Sequence, residues 1–218
     1  MKYIRKNGIK DPGSAITHGT ALILAVVGTL PLLLKAAREP DHLHVVAMAV
    51  FMLSMILLYL ASTVYHTFDV NGKVNRRLKK FDHMMISVLI AGSYTPICLI
   101  ALHGRTGIAL CALVWAAAIG GILVKAFWIN CPKWFSSVLY IAMGWLCVLA
   151  FHPLFLALSR PAFGWLYTVG GVIYSLKMPV FNAKHKKFGT HEIFHLFVMG
   201  GSFCHFIVMY YFVAAMPV

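Results

Sequence analysis

Seven apolar stretches of about 20 residues run through this chain, each the length a helix needs to cross a hydrocarbon core of about 30 Å. They cover residues 14–34, 43–63, 84–102, 107–129, 134–151, 163–180 and 193–216. Little else is open to such a chain. In lipid every backbone N–H and C=O must be paired within the protein, so spanning segments are helices or closed barrels, and the alternation of a barrel strand is missing. Charged residues make up only 11% of the chain, where a soluble domain carries about 25%. The predicted fold is all-α: one integral-membrane bundle of seven transmembrane helices occupying residues 1–218, without a soluble module. The fifth and sixth stretches are the most interrupted, by Pro153, Pro161 and Pro179. The first is full length and followed by others, which marks a membrane helix rather than a removed signal peptide.

The net charge is +13. In a soluble protein that balance suggests nucleic acid, but no aromatic-basic platform accompanies it, and nucleic acid is not an expected partner. The basic residues follow the topology instead. Seven spans put the amino tail and the second, fourth and sixth loops on one side, and these carry 15 of the 19 lysines and arginines, Lys79, Lys80 and Lys125 among them. The positive-inside rule then places the amino terminus in the cytoplasm and the carboxyl terminus outside a cell membrane. The five cysteines are odd in number and form no Cys-x-x-Cys pair, so they imply neither a disulfide framework nor a thiolate metal site.

With that topology, polar residues from three non-consecutive spans converge at one depth. The second span ends in "LASTVYHTF" with Ser62 and His66, and the third begins with "KKFDHMM", placing Asp82 about one turn into its helix. The seventh begins with "GTHEIFH", bringing His191 and His195. His191 and His195 are four apart and share a helix face, as do Ser62 and His66. Three imidazoles suit zinc at about 2.0–2.1 Å with a fourth position for water, and Asp82 could activate that water or complete the shell. Without a metal, the same groups would form a hydrogen-bonded helix joint, with Ser62 bonded back to its own helix and Asp82 paired with Lys79 or Lys80. His18 near the inner end of the first span is expected either beside the cluster or in a structural role, while His83 is expected to point elsewhere, and His205 lies too deep to bind the same ion.

His191-Glu192-x-x-His195 also has the pattern of a zinc peptidase, with Glu192 as general base. The pattern is short, and Glu192 occupies the first turn of its helix, where an acid complements the dipole. An intramembrane peptidase would need a separate third ligand and a substrate gate, for which no motif is evident.

Taken together, "DPGSAITHGTALILAVVG", "ASTVYHTF", "KKFDHMMISVLIAGSYTP" and "THEIFHLFVMGGSFCHF" resemble the hemolysin III family, the bacterial branch of the progestin and adipoQ receptor (PAQR) family. The resemblance covers nearly the whole chain. It implies a seven-helix bundle with zinc near the cytoplasmic face held by His66, His191 and His195, with Asp82 and Ser62 beside the metal, and no required base at Glu192. It implies membrane lipids as partners and a zinc-dependent hydrolase of lipid amide or ester bonds, similar to alkaline ceramidases. The alternative is a receptor-like regulator of membrane lipid state with a structural zinc. A cytolytic pore fits a short-looped helix bundle poorly.

Overall fold

The computed structural model describes residues 9–166 and 190–218, without the side chains of Lys133, Thr190 and His191. The expected sixth span, 163–180, lies outside the described residues from 167 onward. Among the described residues, six helices are long and apolar enough to cross a membrane: Pro12–Ala36, Leu43–Thr67, Gly72–Leu102, Gly104–Phe127, Trp134–Ala157 and Glu192–Val213. They correspond to the other six apolar stretches. We label α1 (Pro12–Ala36), α2 (Leu43–Thr67), α3 (Gly72–Pro96), α4 (Gly104–Phe127), α5 (Lys133–Trp145), α6 (Phe151–Ala157), α7 (Arg160–Gly164) and α8 (Thr190–Val208). α5 runs into α6 through a 3-10 turn, Leu146–Ala150, so one membrane span is assembled from two helical pieces.

Local chemistry sets the boundaries. α3 begins at Gly72, well before the apolar stretch: Asn71 caps it by accepting from Val74 N at 3.0 Å, and Asn75 Nδ2 donates to Asp69 Oδ1 at 2.6 Å. Lysine and arginine are good helix formers, so the basic segment continues the helix outward rather than ending it. Asp82 consequently sits nearly three turns into α3 instead of one. At the other end Pro96 has no N–H to donate, and the helix relaxes into a π-helical stretch, Ile97–Leu102. The chain then reverses through His103 and Gly104, both at positive φ (30° and 58°).

α2 is the centre of the bundle, packed most extensively against α1 and α3. Met48, Phe51, Met52, Met55, Leu58 and Tyr59 are buried along it. α1 instead turns Ile16, Ile23, Val27 and Leu30 outward, an apolar face that suits lipid. The α2–α3 crossing is close because Gly92 offers no Cβ: a methyl there would overlap Ser54 Oγ, whose hydroxyl donates to the Phe51 carbonyl at 2.7 Å. Gly92→Ala is therefore expected to destabilise the folded protein by about 1–3 kcal/mol. Gly120→Ala, where nothing lies within 4 Å, is expected to leave stability unchanged or slightly raised. Thermal melts in detergent compare the two, and equal melting temperatures would remove Gly92 as the reason for the close crossing.

Lys125 departs from its expected place. The charge pattern assigns it to a cytoplasmic loop, but it lies inside α4 and is 1% exposed. The α4 helix simply persists past the lysine to Phe127, turning its side chain inward.

Candidate metal centre

The first described residues lie across the end of α2. Asp11 N donates to the His66 carbonyl at 2.8 Å and Lys10 N to the Thr67 carbonyl at 3.1 Å. This pairing brings the Asp11 carboxylate to His66, with Oδ2 3.0 Å from Nδ1. Asp11 occupies the N-cap position of α1, yet its side chain does not cap that helix, because it is turned to the histidine.

His195 is built in the same manner from α8 and α1. Its Nδ1 lies 3.3 Å from Thr17 Oγ1, and its ring stacks on His18 with centroids 3.6 Å apart and planes 12° from parallel. His18 meets the edge of Tyr59 at 5.2 Å. The His66 and His195 rings are 5.1 Å apart at 68°. His18, Ser62, His66, Asp82 and His195 are all buried. Residues from the amino end of the chain, from α2 and from α8 thus meet at one level of the bundle.

Asp82 approaches from α3, within electrostatic reach of His66 and adjacent to Ser62. Its Oδ2 lies 3.3 Å from His83 Nδ1. This corrects the expectation that His83 points elsewhere: it turns back to the carboxylate and lines the same cavity. Lys80 does not pair with Asp82 but donates to the Ala126 carbonyl of α4. His205, deeper in α8, donates from Nδ1 to the Gly201 carbonyl, 2.9 Å away. Glu192 lies against Gly13, whose missing Cβ leaves room for it.

The donor chemistry fits a zinc ion in part. Two imidazoles, each with Nδ1 engaged by a carboxylate or hydroxyl, are held as zinc-binding histidines usually are, the engaged nitrogen leaving coordination to Nε2. No set of three or more His, Cys, Asp or Glu forms a metal-holding group among the described residues. The side chain of His191, expected as the third ligand, lies outside them. Asp11, Thr17 and Tyr59 were not singled out from the sequence. Only Asp11 carried a signal there: it is one of six acids in the chain and stands directly before Pro12.

These residues form the polar end of a cavity of about 1170 Å³, larger than most small-molecule sites. Away from the histidines it is lined by Ile86, Leu89, Ile90, Ile97 and Leu154. The space combines a polar, histidine-rich end with a lining that is largely apolar elsewhere, which suits an amphiphile.

Comparison with known proteins agrees with this architecture. Residues 7–206 match the family described as Haemolysin-III related. The chain is 40% identical over 203 residues to Hemolysin-3 of Bacillus cereus, covering 93% of this chain and 91% of the relative. It is 37% identical over 208 residues to a Hemolysin-3 homolog of Bacillus subtilis (strain 168), covering 95% and 96%. A distant similarity, 20% over 231 residues, reaches the Adiponectin receptor protein of Drosophila melanogaster, covering 90% of this chain and 49% of that protein.

Proposed function

Because the chain belongs to the haemolysin-III-related family, with a distant relationship to adiponectin receptors, we propose that it is a zinc-dependent hydrolase of lipid amide or ester bonds. The observation that carries this reading is the juxtaposition of His66 and His195, 5.1 Å apart, each oriented through Nδ1 by a residue of the amino-terminal region. His66, His191 and His195 are the proposed ligands. Zinc bound there would polarise a substrate carbonyl and make water acidic enough to be activated near neutral pH.

The remaining chemistry belongs to the chain. Asp82 accepts the proton of the attacking water and returns it to the leaving amine or alcohol, since it is buried beside His66 and faces the cavity. Ser62, one helical turn before His66 on the same face, donates its hydroxyl to the developing oxyanion or to Asp82. Asp11 and Thr17 hold the two imidazoles in orientation, and His18 packs flat on His195 to fix its ring. The apolar end of the cavity holds the acyl chain and excludes water from the reacting bond. The protein is proposed to lie in the cell membrane with seven spans and the amino terminus cytoplasmic, which puts the site near the cytoplasmic face.

A second reading, a non-enzymatic regulator of membrane lipid state with a structural zinc, is favoured by the tight enclosure of His195, which is 2% exposed and stacked on His18. Elemental analysis of the purified protein, followed by fatty-acid release from a panel of lipid amides and esters, separates the two. Zinc with turnover supports the hydrolase, zinc without turnover the regulator, and absence of zinc overturns both. Within either reading, Asp11→Asn is expected to weaken zinc binding about 10- to 100-fold, the usual effect of removing a carboxylate behind a ligating histidine. Competition with a chelator measures it, and an unchanged affinity would show that Asp11 does not orient His66.

A further inference from the structure

Lys125 is a basic side chain turned into the bundle. It is 1% exposed, it lies within a membrane-spanning helix, and among the described residues it has no carboxylate partner. Its Nζ donates to Cys131 Sγ at 3.1 Å and to Ser136 Oγ, and stands 5.8 Å from the centre of the Tyr140 ring. Burying an unpaired ammonium at membrane depth is costly, so a lysine in such a place marks a polar pathway or a ligand. Lys125, Cys131, Ser136 and Tyr140 all line the same large cavity as the histidines.

The surroundings add positive potential rather than cancel it. Ser136 lies in the first turn of α5, at the positive end of that helix's dipole, although the Phe135 and Ser136 N–H groups there are paired with the Pro132 carbonyl at 3.1 and 3.3 Å. The Cys131 thiol lies in the α4–α5 connection, within hydrogen-bond reach of Lys125 Nζ. Burial pushes its pKa up, but hydrogen bonds from Ser136 and Lys125 and the ammonium charge carry it below the ordinary thiol value. The Tyr140 hydroxyl donates to the His83 carbonyl at 2.9 Å, which fixes this group one aromatic ring away from the Asp82–His83 segment. The cavity therefore has two distinct polar walls, one of histidines and carboxylates and one cationic.

We propose that Lys125 and Ser136 form a binding site for the anionic group, carboxylate or phosphate, of an amphiphile whose chain occupies the apolar part of the cavity. The ammonium pairs with one oxygen of the anion and the Ser136 hydroxyl donates to another, while the tail lies along Ile86, Ile90 and Ile97. As an account of the cavity's occupant this stands beside the hydrolase reading, and only the step from occupant to substrate or product rests on it.

Binding is measured on the full-length protein in detergent at mildly alkaline pH. The probes are a mid-chain brominated fatty acid, the alcohol of the same chain and the matching lysophosphatidic acid, read by quenching of tryptophan fluorescence; Trp145 lines the cavity. The wild type is expected to bind at least one of the two anionic probes about 10- to 100-fold more tightly than the alcohol, the gain a charge-assisted hydrogen bond gives. Lys125→Met is expected to bind the alcohol as before and to lose the preference, while Lys125→Arg keeps it. Which anion shows the larger preference tells a fatty-acid carboxylate from a phosphate headgroup. Equal binding of acid and alcohol by the wild type, or a preference that survives Lys125→Met, overturns the proposal. Should Lys125→Met fail to fold, Ser136→Ala takes its place, and a preference unchanged there overturns it equally. The assay needs neither zinc nor turnover, so a protein that shows the preference but hydrolyses nothing refutes the hydrolase alone.

Discussion

His66→Ala is expected to leave the purified protein without zinc, from about one ion per chain in the wild type, and His191→Ala and His195→Ala are expected to do the same. The loss should exceed that of Asp11→Asn, because a ligand is deleted and not merely misaligned. His66 is the informative choice. It is buried, its ring lies 5.1 Å from that of His195, and its Nδ1 is already committed to Asp11. Glu192→Gln is the companion variant, expected to retain zinc in full, since Glu192 packs against Gly13 in the first turn of α8. Full zinc in His66→Ala would remove the metal assignment. Loss of zinc or of all activity in Glu192→Gln would return the peptidase-like use of His-Glu-x-x-His to consideration.

Asp82→Asn carries the second large effect. If Asp82 is the proton-transfer group, the variant should retain zinc and lose about 10²- to 10⁴-fold in lipid amide or ester turnover. The substitution preserves shape and some hydrogen bonding while removing the charge that faces His66. Loss of zinc together with activity would instead make Asp82 a ligand. Undiminished turnover would leave it a structural partner of His83, whose Nδ1 is 3.3 Å away. Turnover and metal content measured on one preparation separate these outcomes.

Much of this was legible in the sequence because membrane spans announce themselves locally. The apolar runs located six spanning helices, though not the start of α3, and the alternation of basic loops points to one level for His66, Asp82 and His195. What escaped depends on tertiary pairing or on helix ends. Asp11 lies outside the first apolar run and reads as an N-cap, yet its carboxylate serves a histidine 55 positions away. Thr17 looks like one more polar residue near a membrane boundary, and only the packing of α8 on α1 brings it to His195, 178 positions later. Lys125 was misplaced because a lysine near the end of an apolar run ordinarily marks the interface, and nothing local distinguishes one that turns inward from one that reaches out to headgroups. The start of α3 was set too late for a related reason: polarity identifies where the membrane ends, which is not where a helix must.

The arrangement of Thr17 and His18 with His195 has a consequence for how the protein is made. The α1 contributor Thr17 leaves the ribosome 178 positions ahead of the α8 contributor, so over that stretch of synthesis the histidine cluster lacks one of its walls. A metal held by His66 and His195 could be loaded only after α8 has been inserted and docked beside α1. Metal occupancy would then mark chains in which α8 has docked on α1.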